Sequence, residues 1–397
     1  MRSTATYVEE NTSTLSVSNR LPWVGLLALA MAGFICILTE SLPAGLLPQI
    51  SQDLQVTEAL AGQLVTLYAA GSLLAAIPLT AATRGWRRKP LLLLCITGFL
   101  VFNTVTAWSS DYAVTLVARF LAGVSAGVLW GMTAGYARRM VPDVLKGKAM
   151  AVAMVGTPLA LALGVPAGTF LSSFVGWRLI FGIVSVLAAM LILWVLWKMP
   201  DFDGEPRGER LPLHKVLLSP GVRPILAVVV AWVLAHNILY TYISPYLAVT
   251  ALGDRVDVVL LMFGITSVIG IWVVGILIDR FMRRLLIASI TAFILASLAM
   301  ALAIHQPLIV LTAVSIWGLT FGGAATLLQT AIAKAAGKSA DIAQSMLVTA
   351  WNLAIGGGGI VGGVLLELLS GGFLPGSLFI LLLPALLTVL FARKSFS

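Results

Sequence analysis

The sequence predicts an all-α membrane protein, twelve transmembrane helices in two six-helix bundles, and three observations carry that prediction. Of 397 residues, 59% are hydrophobic and only 10% are charged, which is more apolar side chain than a water-soluble core can bury and too little charge to cover a soluble surface. Apolar stretches of about 20 residues, the length that crosses a ~30 Å hydrocarbon core, recur along almost the whole chain. Basic residues gather in every second break between them.

Residues 1–21 contain no apolar run and read as a short cytoplasmic tail rather than a signal peptide. Helix 1, 22–47, carries Glu40, the one acid well inside a predicted span. An ionisable group in hydrocarbon is costly enough that it usually faces a cavity and has a function. Helix 2, 59–82, ends in the basic cluster Arg84, Arg87, Arg88 and Lys89. Helix 3, 91–108, contains Cys95, which with Cys36 of helix 1 completes the cysteine count. Both read as small buried hydrophobes, so neither a disulfide, a metal site nor a cofactor is expected. Helix 4, 112–136, carries Arg119, then Gly123, Gly127 and Trp130.

Helix 5, 149–173, contains GTPLALALGVPAG, in which Gly156, Gly164 and Gly168 permit close helix approach and Pro166 can bend the chain. Helix 6, 178–198, precedes the longest hydrophilic stretch, 199–223, which reads as a linker between the bundles 22–198 and 224–392. Helix 7, 224–249, is dense in hydrogen-bonding groups: His236, Asn237, Tyr240, Thr241 and Tyr242 before Pro245. His236 and Tyr240 are i, i+4 and share a face, whereas Tyr242 points elsewhere. Helices 8, 257–278, and 9, 285–304, flank Gly275, Asp279, Arg280, Arg283 and Arg284. Helix 10, 308–332, offers Gln329, and helix 11, 342–367, offers Trp351 and Asn352. The run Gly356–Gly359 with Gly362 and Gly363 lacks the Lys-Ser/Thr of a phosphate loop and reads as flexible or close helix packing. Helix 12, 373–392, leads into the tail 393–397.

Of the 25 Lys and Arg, 22 lie in the termini or in the loops 84–89, 138–148, 198–223, 280–284 and 334–338; Arg119, Arg178 and Arg255 are the exceptions. The positive-inside rule therefore puts both termini in the cytoplasm. Topology accounts for the net charge of +9, and no nucleic-acid partner is needed to explain it.

The chain also repeats itself. Arg84, Arg87 and Arg88 recur as Arg280, Arg283 and Arg284, and Ile96-Thr97-Gly98-Phe99-Leu100 matches Ile290-Thr291-Ala292-Phe293-Ile294. Two related six-helix units about an axis along the membrane normal explain both matches. From the rise per residue, Glu40 and Arg119 lie at similar depth, roughly 10–15 Å from the same face.

These motifs resemble the major facilitator superfamily, and within it the drug:proton antiporters. Gly275-Ile-Leu-Ile-Asp279-Arg280 is similar to the family's loop motif, while the first-half copy has Thr83 where an acid is expected. Arg119 with Gly123 and Gly127 is similar to the family's membrane-embedded arginine, and the helix 5 pattern to its antiporter motif. Thr39-Glu40-Ser41-Leu42-Pro43-Ala44-Gly45-Leu46-Leu47-Pro48 resembles a bacterial branch of sugar and purine-nucleoside exporters.

The resemblance implies a monomeric secondary transporter of the bacterial inner membrane whose helices 1, 4 and 7 line a central cavity. Glu40 and Arg119 are then expected to couple protons, since burial and a positive neighbour act oppositely on a carboxyl group. His236, Asn237, Tyr240, Trp130, Gln329, Trp351 and Asn352 are expected to contact a sugar, nucleoside or drug-like substrate. Gly156, Gly164, Pro166, Gly168, Gly275, Asp279 and Arg280 are expected to serve packing and gating. Proton-coupled uptake or facilitated diffusion is the alternative transport reading. An intramembrane enzyme or sensor is disfavoured by the lack of a reactive cluster and of any loop longer than the 199–223 linker.

Overall fold

The computed structural model describes residues 21–76, 78–83, 85–204, 217, 221–337 and 340–396. The tail 1–20, Arg84 and most of the 199–223 linker lie outside the described residues. Helix 1 spans Trp23–Leu54, and helix 2 spans Glu58–Ala76 with a short continuation at Pro78–Ala82. Helices 3 to 6 are Arg88–Trp108, Tyr112–Arg139, Asp143–Val175 and Trp177–Lys198. Helix 7 is Val222–Thr241, resumed after a break at Tyr242 by Ile243–Ala248. Helices 10, 11 and 12 are Pro307–Ala336, Ala340–Leu369 and Gly371–Phe391. No strand occurs among the described residues.

Two expected boundaries change. Helix 1 continues past the predicted end at 47, through Pro43 and Pro48, and stops only where Gln55 turns left-handed at φ 54° and its N–H caps Ser51 O. The expected loop between helices 8 and 9 is instead part of one helical run, Val256–Leu302, of 47 residues. At 1.5 Å per residue that run is roughly 70 Å long, more than twice a hydrocarbon core. Phe281 breaks it with φ −131° and ψ 19°, so it makes two crossings. Among the described residues eleven helices are long and apolar enough to span a membrane, and the break in this one raises the crossings to twelve. Leu94, Leu193, Trp272, Ile276, Leu295 and Ile380 point out of the bundle in mid-span, the polarity that a lipid solvent selects.

Packing repeats between the halves. A Cβ on Gly71 would stand 2.0 Å from Phe120 O, and one on Gly123 would stand 1.9 Å from Tyr68 O, so helices 2 and 4 cross backbone to backbone. Helices 8 and 10 cross in the same way at Gly270 (2.0 Å from Leu319 O) and Gly322 (2.1 Å from Ser267 O). All four residues of this second crossing lie 199 positions beyond their counterparts. The basic clusters also serve equivalent ends. Lys89 donates to Leu196 O at 2.9 Å and Arg283 donates to Leu390 O at 2.9 Å, and both members of the second pair stand 194 positions beyond the first. In each half a cation therefore meets the open carbonyls at a helix C-terminus, where positive charge is favoured.

The halves meet at the end of the bundle remote from the chain termini. Among the described residues, side-chain hydrogen bonds between them run from Tyr242 to Ala59 O, from Gln63 to Gly359 O, from Ser244 to Ala44 O and from Thr57 to Glu367. Helix 8 presses on helix 5 at Gly264, whose added Cβ would stand 2.3 Å from Ala162 Cα. Residues 160–164 there form one wide π-type turn just before Pro166. Proline has no N–H to give the preceding turn, and a local widening accommodates that loss.

Candidate functional site

Arg119 lies at the middle of the N-terminal half and is fully buried. Its Nε reaches Leu64 O at 3.4 Å and its Nη2 reaches Glu40 O at 3.5 Å, both near the long limit of a hydrogen bond. The guanidinium also lies 4.9 Å from the Tyr68 ring centroid and 5.6 Å from that of Phe181. Nη1 is buried with no partner among the described residues. The structure brings Glu40 and Arg119 together through the main chain of Glu40, and their side chains form no ion pair. Glu40 itself is half-buried, one turn before Ala44, whose carbonyl oxygen accepts from Ser244 of the opposite half at 2.9 Å. Beside it, Asn103 of helix 3 donates to Thr39 Oγ1 at 2.9 Å, leaving Asn103 Oδ1 buried and unpartnered.

The facing wall is helix 7. His236, Asn237 and Tyr240 are all buried. His236 Nδ1 accepts a hydrogen bond from Trp317 Nε1 at 3.2 Å. The imidazole stacks on Phe321 at 3.5 Å and 6°, with Tyr240 at 5.3 Å and Phe263 at 5.7 Å. Tyr240 Oη is buried without a partner among the described residues. Asn237 Nδ2 returns to Val233 O of its own helix, and Asn352 Nδ2 likewise to Val348 O. Trp351 joins the aromatic group through Phe321 at 6.1 Å. Sequence reasoning did not single out Phe263, Trp317 or Phe321. An aromatic residue in an apolar span carries no special signal, and only the i, i+4 spacing of Trp317 and Phe321 hints at a shared face.

The other expected residues divide between packing and surface. Trp130 is half-buried and rests against helix 1, its ring 3.5 Å from where a Cβ on Gly33 would be. Gln329 is exposed. Helix 5 packs its small residues on helix 1: a Cβ on Gly156 would lie 1.8 Å from Ala30 O, on Gly164 2.8 Å from Leu38 Cδ2, and on Gly168 2.6 Å from Leu42 Cδ2. Pro166 is buried as well. Gly275 faces outward, and a Cβ there would meet nothing within 4 Å. Asp279 and Arg280 are exposed at the break before Phe281, and neither forms an ion pair among the described residues. Thr83, in the acid's place in the first-half copy, donates to Leu79 O of its own turn at 2.7 Å.

Twelve apolar crossings in two pseudo-equivalent halves, closed at one end over buried polar groups, define a polytopic membrane transporter rather than an enzyme. The chain matches the Major Facilitator Superfamily over residues 29–358 and belongs to that superfamily. It is 28% identical over 380 residues to the purine ribonucleoside efflux pump NepI of Escherichia coli (strain K12), covering 94% of this chain and 96% of that protein. The pump of the same name from Shigella flexneri matches with the same identity and coverage. Among solved structures, a bacterial homologue of the human lysosomal transporter Spinster, inward-facing and occupied, superposes with TM-score 0.70 at 16% identity, covering 93% of this chain and 94% of that one. The human organic anion transporter MFSD10 (TETRAN) superposes with TM-score 0.68 at 16% identity, covering 93% and 99%. These two likenesses bear on the fold alone.

Proposed function

We propose that this transporter exports a small organic solute of the purine-nucleoside class in exchange for protons, in the bacterial inner membrane with both termini in the cytoplasm. The observation that carries the reading is the position of Glu40 on helix 1, where its main chain meets Arg119 of its own half and the carbonyl one turn further, Ala44 O, accepts from Ser244 of the other. A titratable group on a segment held by both halves is suited to tie proton loading to their relative position. The similarity to NepI supports the substrate class, and the aromatic wall of helix 7 suits a flat ring.

With the termini inside, the end at which the halves meet is periplasmic, and export begins with solute taken from the cytoplasmic side. Solute then enters between the halves and displaces the proton from the region of Glu40. Rocking of one half against the other breaks the Tyr242 and Ser244 contacts and opens the far side, where solute leaves and a proton returns. The groups around Arg119 hold a positive charge near the carboxyl through the cycle.

Everted membrane vesicles with an acid interior are expected to take up labelled adenosine and to stop when the gradient is collapsed. Uptake driven by the opposite gradient would replace export with symport. Glu40→Gln is expected to lose gradient-driven uptake while keeping adenosine exchange, which needs no net proton movement. Wild-type accumulation by Glu40→Gln removes Glu40 from the mechanism. Reporter fusions at 84–89, 138–148 and 280–284 should read as cytoplasmic; a periplasmic signal there reverses the orientation.

A further inference from the structure

An indole N–H can only donate, so the atom that receives it must carry a lone pair. Trp317 Nε1 lies 3.2 Å from His236 Nδ1, and the neutral imidazole therefore holds its hydrogen on Nε2. The ring is not free to exchange its two nitrogens. Phe321 lies parallel to it at 3.5 Å, and Tyr240 and Phe263 stand within 6 Å. Nε2 itself has no hydrogen-bond partner among the described residues. One turn along the same face, Tyr240 Oη is buried and equally without a partner among the described residues. Two adjacent unmet groups, one strictly a donor and one adaptable, thus share one face of helix 7 beside flat aromatic surface.

We infer that Trp317 fixes His236 as a hydrogen-bond donor to a ring acceptor of the substrate, making His236 a specificity-determining residue and Trp317 its positioning residue. This inference rests on the proposed transport of purine nucleosides and deepens it. A purine offers in-plane ring nitrogens that accept one N–H, while its face can lie against the aromatic group around Phe321. A hydroxyl at the matched position could also serve Tyr240, which both donates and accepts. Leaving a buried donor unmet costs more than the bond itself gains, so a solute lacking the acceptor is rejected more strongly than its size implies.

Two measurements test the inference. The chain has three histidines, so His214→Gln with His305→Gln leaves a single imidazole for ¹⁵N spectroscopy. That ring is expected to show Nε2 protonated and Nδ1 bare, and Trp317→Phe, which keeps an aromatic ring but removes the indole N–H, is expected to lose the single tautomer. Retention of the same pure tautomer in Trp317→Phe overturns the positioning role. For binding, purified protein is titrated with adenosine and with its 1-, 3- and 7-deaza analogues, each lacking one ring acceptor. One analogue is expected to bind about tenfold more weakly than adenosine to the wild type and equally well to His236→Leu. His236→Gln, whose amide N–H falls near the place of Nε2, is expected to restore the discrimination. Trp317→Phe should raise KM severalfold with little change in kcat. If the wild type binds adenosine and none of the analogues is discriminated, or His236→Leu discriminates as the wild type does, the donor role is wrong while the substrate class stands. If the wild type binds no adenosine, the substrate class fails and the donor role with it, and the tautomer measurement still decides what Trp317 does.

Discussion

The hydroxyl of Tyr242 donates to the carbonyl oxygen of Gly359 at 2.7 Å, and Ala59 O lies 3.2 Å from the same hydroxyl. One phenol from the break in helix 7 thus bridges helix 11 and helix 2 at the junction of the halves. Gln63 Nε2 supports it, 3.2 Å from Gly359 O and 3.5 Å from the phenol oxygen. The ring has a place only because its neighbours lack side chains. A Cβ on Gly62 would lie 2.2 Å from Tyr242 Oη, one on Gly362 would lie 2.6 Å from the ring, and one on Gly363 would lie 2.8 Å from Oη. The glycine run of helix 11 is a cradle for this residue, and its Gly359 gives the same clearance to Thr66.

Tyr242→Phe should keep the ring seated while removing the hydrogen bond, weakening the closed end by about 1 kcal/mol, or roughly fivefold in the open-to-closed ratio. Gly362→Ala should expel the ring and shift the ratio further. Spin-label distances between the helix 1–2 and helix 7–8 loops report the change. Identical distance distributions in all three proteins would show that this contact does not hold the end closed.

Gly156 and Gly275 make a matched pair for testing which glycines are structural. Gly156→Ala drives a methyl group into the Ala30 carbonyl and is expected to lower thermal stability severely or prevent folding. Gly275→Ala meets open space, and relief of the helix-interior glycine penalty should leave stability unchanged or raise it by about 0.5–1 kcal/mol. Melting curves in one detergent decide between them.

Tyr240→Phe removes a buried hydroxyl that has no partner among the described residues. Its desolvation cost of about 1–3 kcal/mol is relieved, so the melting temperature should stay level or rise. Adenosine binding should weaken severalfold. Loss of stability with unchanged affinity would return Tyr240 to a packing role.

Arg119 reaches carbonyls on two different helices through separate nitrogens and stacks on two rings. Arg119→Ala strands both carbonyls and opens a void, at a cost on the order of 3 kcal/mol. Arg119→Lys preserves the charge but a single ammonium lacks the planar fork, so its exchange activity and melting temperature should fall nearer to Arg119→Ala than to the wild type. Wild-type behaviour of the lysine variant would mean that charge alone matters.

Span number, the repeat and the polar character of helix 7 were legible in the sequence because hydropathy, charge and spacing are properties of the chain itself. Composition dictated lipid as the solvent, and Glu40, Arg119 and His236 stood out because a polar group in an apolar span is expensive wherever it ends up. The partners of those groups were a different matter. That Arg119 meets the main chain of Glu40 and not its carboxylate, that Trp317 holds His236, that Gly275 packs on nothing while Gly362 cradles Tyr242, each depends on how helices distant in sequence cross. A glycine or tryptophan reads the same in the sequence whether it faces lipid or a neighbouring backbone. Only the crossing of the helices sets the distance between them, and at separations of a few ångströms that distance decides whether a side chain is a surface, a bolt or a donor.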